Sequence, residues 1–376
     1  MKRIGTLSLN INTDDLNYGA ILHSYAFLKV LESFGVNEVE VIDYTTPYLE
    51  GIDKKYPFLG YLKNKDYYQA FMSILRLLSH AKKYEKFKQF QRRNMRVSDT
   101  KYTTKSIMNA NLNYNTIICE SDVIWSPSFF GNRFDPVFFL NPPSMRKMKR
   151  VAYAASVGNC HLTDKQQKEM TILLRNLDAI SCRETYAAKY VEELCNSPVE
   201  CVLDPVLLLD KKHYEMIMSR RLIKKPYVLL YFPLEFNNGI VKEAKRFAKS
   251  HGWCVVEVSR YPWERFRHKT IMDAGVEEWL SLIANAEVVL SNSFHAVCFS
   301  IVFEKEFYGF SRRTGRKIQD ICERVGLPSR YVDGTFIEDK AINYTMVNGI
   351  LSELRKQSMN YIQRNIIDEN SKEEQA

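Results

Sequence analysis

Within its first 43 residues the chain runs strand, loop, helix, strand, and no other feature constrains the fold as much. Residues 3–10 (RIGTLSLN) read as a strand and residues 12–19 (NTDDLNYG) as a loop. Residues 20–35 (AILHSYAFLKVLESFG) read as a helix closing at Gly35, and residues 38–43 (EVEVID) alternate polar and apolar as a second strand. Two consecutive strands joined through a helix are parallel, because antiparallel neighbours need only a short hairpin. A parallel sheet is covered by helices on both faces, so the unit must repeat for the sheet to be buried.

It does repeat, in two series. Residues 116–119, 150–156, 178–182 and 199–203 supply further strands of the first series, which closes near residue 208. A charged stretch, DKKHYEMIMSRRLIKKP, follows, and the rhythm restarts with strands at 227–232, 253–258, 287–290 and 306–310 and helices at 239–251 and 276–284. A chain of 376 residues is long enough for two domains, each with a proper core. The expected fold class is α/β: two Rossmann-like domains facing a cleft, 1–208 and 209–334, with a helical insertion near 45–104 in the first. A helical tail, 335–376, is expected to pack back on the first domain.

Ligands in open α/β sheets sit beyond the carboxyl ends of the strands, which directs attention to three loops. The first is 12–19, where Gly19 permits close backbone approach, or where Asn17 and Gly19 simply shape a turn. It contains no GxGxxG, so no dinucleotide fingerprint is present. The second begins at Ser121 and Asp122, which end a strand before the irregular run SPSFFGNRFDP. The third lies in EVVLSNSFHAVCFSIVF (287–303), a strand, a small-polar turn and an apolar helix. The first N–H groups of such a helix lack intrahelical partners and favour an anion. Ser293 and His295 sit at its start, and the residues alone also allow a plain N-cap and a helix-end histidine.

The net charge of +9 does not demand nucleic acid, and none is expected as a partner. Basic residues cluster at 81–96 and 145–150; these are either solvated helix faces or contacts with an anionic lipid surface or a phosphate-bearing substrate. The eight cysteines include no CxxC pair, and the scattered histidines show no ligand spacing, so neither a disulfide framework nor a metal site is expected. Residues 1–15 do not read as a secretory signal, and no apolar run approaches the ~18–20 residues needed to span a bilayer. The expected location is cytoplasmic, with peripheral contact at the inner face of a membrane.

Several short motifs then line up: NYGA (17–20), IDY (42–44), ESDVIW (120–125), VAYAASVG (151–158), ISCRE (180–184), LDPVLLL (203–209) and SNSFHAVCFSIVF (291–303), closed by TGRKIQDICERVGL. In order and spacing, over about residues 1–335, they resemble the polysaccharide pyruvyl transferase family. That resemblance implies a GT-B-like fold, phosphoenolpyruvate as donor substrate with no cofactor, and a sugar diol as acceptor. The implied product is a pyruvate ketal on a surface-glycan or exopolysaccharide (capsule) precursor, lipid-linked if the basic aromatic segment 67–96 faces a membrane. The family's helix-start histidine matches His295 and its strand-end arginine matches Arg183; its later basic residue falls among Arg312, Arg313 and Arg316. Two departures stand out. Glu120 and Val123 replace the family's frequent glycine and glutamine in GSDQIW, and Ala296 replaces a frequent glycine.

Phosphoenolpyruvate carries a carboxylate and a phosphate on three carbons, which calls for arginine forks and helix N-termini. The expected donor site is therefore Arg183, Ser293, His295, Arg312, Arg313 and Arg316, beside a cleft loop of Asn17, Tyr18, Gly19 and Ser121; the residues also allow Arg183 simply to pair with Glu184 or Asp204, and Asp122 to cap the loop. His295 is expected as general acid or phosphate ligand, because histidine titrates near neutrality. Asp122 is expected to activate the acceptor hydroxyl, ahead of Asp14 and Asp15, and Asp204 is expected only to cap a turn. Two other readings stand beside this one: a glycosyltransferase using a sugar nucleotide on the same fold, and a non-catalytic glycan- or anion-binding subunit.

Overall fold

A computed structural model describes residues 2–9, 16–63, 65–158, 161–233, 238–259, 268–310, 316–333 and 339–368. The first sheet contains β1 (Arg3–Leu7), β2 (Glu38–Thr45), β3 (Val97–Thr103), β4 (Thr116–Glu120), β5 (Lys149–Ala155), β6 (Ala179–Cys182) and β7 (Glu200–Cys201), in the order β3-β2-β1-β4-β5-β6-β7. All its neighbours pair in parallel. The second contains β8 (Tyr227–Tyr231), β9 (Cys254–Val258), β10 (Lys269–Ile271), β11 (Val288–Ser291), β12 (Glu306–Phe310) and β13 (Tyr331–Val332), in the order β10-β9-β8-β11-β12-β13. It too is parallel throughout.

Both orders reverse direction once, between β1 and β4 in the first sheet and between β8 and β11 in the second. At such a reversal the two following loops part and leave a crevice. The loops after β1 and β4 carry Asn17 and Ser121-Asp122; the loop after β11 carries Asn292, Ser293 and His295. The topology thus aims the two strand-end motifs of the chain at one another.

The central strands are buried along their whole length, as β4 (TIICE) and β8 (YVLLY) show, which is why they read as short apolar runs rather than as alternating segments. One apolar core runs without a break from Ile4 and Tyr18 in the first domain through Trp279 and Phe299 in the second to Tyr361 and Ile366. The helix Tyr344–Ile362 returns to the first domain. There Ser358 Oγ accepts from Leu203 N at 2.9 Å, Tyr361 Oη donates to Ala152 O at 3.0 Å, and Arg355 Nε donates to Leu207 O at 2.6 Å.

The insertion differs from the expected all-helical segment. It is helical over Phe58–Lys63, Tyr67–Leu75 and Leu77–Asn94, and then forms strand β3 at the sheet edge. β3 reads VSDTKYT, with no residue fully buried. An edge strand paired on one side only and half-buried at best needs no apolar period, so the pattern that exposed the central strands was missing.

Candidate active site

The site starts at the end of β4. Ser121 and Asp122 both adopt left-handed backbone, with φ of 44° and 53°. Non-glycine residues in this region are strained, on the order of 1–3 kcal/mol each. The neighbouring strand holds them there: Ser121 N donates to Tyr153 O at 2.8 Å, and Ser156 N donates to Asp122 O at 2.9 Å. The double turn swings the Ser121 hydroxyl and the Asp122 carboxylate sideways, toward the end of β6.

Arg183 waits at that end. It is 3% exposed and is surrounded by acids. Its Nε donates to Glu184 Oε1 at 2.9 Å, Nη1 donates to Asp204 Oδ2 at 2.8 Å, and Nη2 lies 3.4 Å from Asp122 Oδ1. The Phe294 ring, from the second domain, lies 4.5 Å from its guanidinium carbon. Arg324, also from the second domain, donates to the Arg183 carbonyl at 2.7 Å. Arg183 was expected in the donor site or, alternatively, paired with Glu184 or Asp204, and that pairing is present here. A buried guanidinium with three carboxylate neighbours is an internal counter-ion that holds Asp122 and Asp204 in place.

Asp204, expected at most to cap a turn, does that and more. Its Oδ1 accepts from Val206 N at 3.1 Å, while Oδ2 accepts from Ser121 Oγ at 2.7 Å and from Arg183. The same Oδ2 lies 3.5 Å from His295 Nε2. Burial alone would raise this carboxyl, but His295, Arg183 and His23 hold it well below the usual carboxylate range. Asp122 is also held low against its burial, first by Arg183 and then by His23, His295 and Lys317. Asp122 is the most accessible acid of the group, with 15% of its side chain exposed against 0% for Asp204 and 1% for Glu184.

His295 enters from the other domain. Ser293 caps the helix Phe294–Val302, its Oγ accepting from Ala296 N at 3.4 Å. His295 is the second residue of that helix and is 6% exposed. Its Nε2 has no hydrogen-bond partner of good geometry beyond the long approach to Asp204. On its far side the ring meets Gly19, where a Cβ would fall 2.0 Å from Nδ1. Glycine at 19 is therefore required by a cross-domain contact and not by a turn, since the residue is helical.

Behind His295 lies a buried pair, His23 and Glu120, of which only Glu120 stood out in the sequence, as a departure from the family's motif. The His23 ring stacks on His295 at 5.9 Å between centroids and 20° between planes. His23 is fully buried, and desolvation pulls its pKa down to about 4. Glu120 is fully buried too; desolvation raises its carboxyl to about 8, and Ser24 Oγ donates to its Oε1. Glu120 Oε2 and His23 Nδ1 stand 4.0 Å apart, both without hydrogen-bond partners. With both groups neutral near pH 7 this is a proton-holding contact and not an ion pair. One signal was legible: His23 interrupts a helix that is apolar all round, ILHSYAF, and such a helix is buried on every side.

The other expected site residues divide. Asn17 is the N-cap of the helix Tyr18–Ser33, its Oδ1 accepting from Gly19 N at 3.0 Å and Ala20 N at 3.3 Å. Tyr18 does not line an open loop. It is 1% exposed, stacks on Trp279 at 4.9 Å and 6°, and donates to Ala274 O at 2.8 Å, so it joins the two domains. Arg316 is exposed and precedes the helix Lys317–Arg324, with Lys317 the nearer cation to Asp122. Arg312, Arg313, Asp14 and Asp15 lie outside the described residues.

A family model described as polysaccharide pyruvyl transferase matches residues 17–314. No curated protein gives a significant match. Among solved structures, a putative UDP-N-acetylglucosamine 2-epimerase from Listeria monocytogenes is similar at a TM-score of 0.55 and 9% identity, over 97% of this chain and 91% of that one. A UDP-GlcNAc 2-epimerase from Neisseria meningitidis bound to UDP-GlcNAc gives 0.48 and 10%, over 96% and 93%. The heptosyltransferase WaaC of E. coli with ADP gives 0.42 and 8%, over 94% and 99%. At these identities the likeness is one of fold: the chain has a GT-B-type fold of two Rossmann-like domains.

Proposed function

The chain belongs to the polysaccharide pyruvyl transferase family, and on that premise we propose that it transfers the pyruvyl group of phosphoenolpyruvate to a sugar diol of a glycan precursor, forming a ketal. The observation that carries this reading is His295. It is a nearly buried imidazole with an unpartnered Nε2, set at a helix start between the two topological reversals and 3.5 Å from Asp204. Such a group is equipped to hold and deliver one proton.

The reaction needs one proton delivered to carbon. Protonation of the donor's methylene gives a methyl group and an oxocarbenium-like C2. One sugar hydroxyl adds to C2, the C2–O bond to phosphate breaks, and the second hydroxyl adds. Two hydroxyl protons are released; one balances the methyl group and the other leaves with phosphate. In this reading His295, held by Asp204, supplies the proton. The ionised, partly exposed Asp122 receives one from the acceptor hydroxyl.

Arg183 already faces three carboxylates, so the anionic donor is held elsewhere. The first turn of the helix Phe294–Val302 and the cations Arg316 and Lys317 are the groups for it. The acceptor is a glycan carrying two suitably placed hydroxyls.

The test is turnover. Purified protein with phosphoenolpyruvate and a diol-bearing glycoside is expected to release phosphate, and His295→Ala to lower the rate by roughly 10²–10⁴. Thermal shifts with phosphoenolpyruvate but none with UDP or ADP are expected as well. Stabilisation by a nucleoside diphosphate alone, or phosphate release unchanged in His295→Ala, would overturn the proposal.

A further inference from the structure

Of the fourteen large hydrophobic side chains exposed among the described residues, nine fall between Tyr56 and Leu78, within the helical insertion. Such concentration is not the ordinary scatter of surface apolar groups. Tyr67, Tyr68, Phe71, Ile74, Leu75 and Leu78 recur at helical spacing along Tyr67–Leu75 and into Leu77–Asn94, and each is between 47% and 80% exposed. The opposite side of the same helix, Ala70, Met72 and Ser73, is buried against the protein. The usual amphipathic arrangement is therefore doubled: Ala70, Met72 and Ser73 face in, and a second apolar and aromatic face points out.

Charge decides what such a face can meet. Residues 54–83 carry six lysines and one arginine against one aspartate, which leaves six of the chain's nine net positive charges on this segment. Lys63 and Lys65 flank the apolar stripe at one end and Lys82 at the other, all exposed. A second copy of the chain would bring like charges together around the stripe. An anionic bilayer is complementary on both counts. Lysine side chains lay their stems along apolar surface and keep their heads at the phosphate level, and tyrosines favour the same depth. Among the described residues no helix is long and apolar enough to cross a membrane, so the contact is one of lying on the surface.

We propose that the outer face of the helices around Tyr67–Leu78 is a membrane-docking surface that seats the protein on anionic lipid. The inference is independent of the transfer chemistry, since it is read without turnover. The full chain is tested by co-sedimentation with vesicles of phosphatidylcholine and of phosphatidylcholine mixed with phosphatidylglycerol. Binding is expected on the mixed vesicles only, weakening as salt is raised. The double variant Phe71→Asp/Leu78→Asp is expected to bind roughly tenfold or more weakly with an unchanged melting curve, because both side chains contact solvent. Lys63→Glu/Lys65→Glu, at fully exposed sites, is expected to lose the preference for anionic lipid. A wild-type chain that leaves the vesicles alone overturns the proposal, as do variants that bind as the wild type does. So does concentration-dependent dimerisation, abolished by Phe71→Asp, in a protein indifferent to lipid; that result would assign the face to a second copy.

Discussion

Gly19 of the first domain and His295 of the second are in direct contact: a methyl group on residue 19 would lie 2.0 Å from the imidazole Nδ1 and 2.6 Å from its Cβ. The NYGA and SNSFH motifs, whose Gly19 and His295 lie 276 positions apart, therefore form the two halves of one joint. Gly19 keeps the first helix close enough for His23, one turn further on, to stack on the same imidazole.

Gly19→Ala is accordingly expected to destabilise the protein or displace His295, although alanine at a helical position normally gains up to about 1 kcal/mol over glycine. Urea unfolding of Gly19→Ala, His295→Ala and the double variant measures this. The double variant should recover most of the loss, a coupling on the order of 1–3 kcal/mol. Additive losses would mean that the helix has room to move away.

Asp122 and Asp204 share Arg183 but differ in exposure, and their amides should separate structure from chemistry. Asp204→Asn leaves Arg183 and His295 short of a fully buried charge, and a loss of roughly 3–5 kcal/mol is expected from unfolding curves. Asp122→Asn removes a longer contact at a partly exposed group. It should cost less than Asp204→Asn, about 1–3 kcal/mol, because Arg183 keeps its two closer carboxylates, while kcat falls roughly 10²-fold or more. Equal stability losses would assign both acids to the scaffold.

Glu120 and His23 should shape the pH dependence of stability in opposite directions. Glu120 has a folded pKa raised to about 8, so between the unfolded carboxyl value and 8 the folded state holds the extra proton, and stability falls as pH rises. His23 has a folded pKa lowered to about 4, so between 4 and its ordinary 6.5 the unfolded state holds the extra proton, and stability falls as pH drops. The two slopes cancel over the middle of this span. From about 6.5 to 8 only the Glu120 slope remains, worth about 2 kcal/mol at 1.4 kcal/mol per pH unit. Glu120→Gln should flatten the alkaline arm and uncover the His23 slope below about 6.5, which Glu120 offsets in the wild type, as urea titrations across pH 5 to 8.5 would show. An alkaline arm that survives in Glu120→Gln would place its origin elsewhere.

The parts of this molecule that follow from a period were legible in the sequence. Buried parallel strands such as Tyr227–Tyr231 read as short apolar runs, and Ser293, assigned to the donor site with a plain N-cap as the alternative, caps its helix. The edge strand Val97–Thr103 did not, because partial exposure on both sides removes the apolar signal. In the site, the strand ends pointed to Asp122, Arg183 and His295, since loops after strands at a sheet reversal carry function. How those side chains combine was visible only in part. The sequence allowed Arg183 to pair with Glu184 or Asp204 as well as to bind an anion, but not that both carboxylates and Asp122, 61 positions away, would surround it together. Tyr18 stands inside a loop motif and looked like cleft lining; only its partner 261 positions on, Trp279, shows it to be packing.

That Tyr18–Trp279 stack supports the last prediction. The rings lie 4.9 Å apart and nearly parallel, the tyrosine hydroxyl donates to Ala274 O at 2.8 Å, and Phe87 of the insertion closes the other side at 5.2 Å. Lys86, one residue earlier, ties the same helix to the second domain through Glu278 at 2.7 Å. Tyr18→Phe loses one buried hydrogen bond and strands Ala274 O, for a cost of about 1–2 kcal/mol with the stack intact. Tyr18→Ala removes the ring, about 3–5 kcal/mol for a fully buried aromatic. Because that ring sits between domains, the loss should appear as opening before it appears as unfolding. The scattering-derived radius of gyration should rise in Tyr18→Ala and not in Tyr18→Phe, and emission from the buried Trp279 should shift to the red. An unchanged radius with a lowered melting point would show that the rest of the shared core, not this wedge, keeps the domains closed.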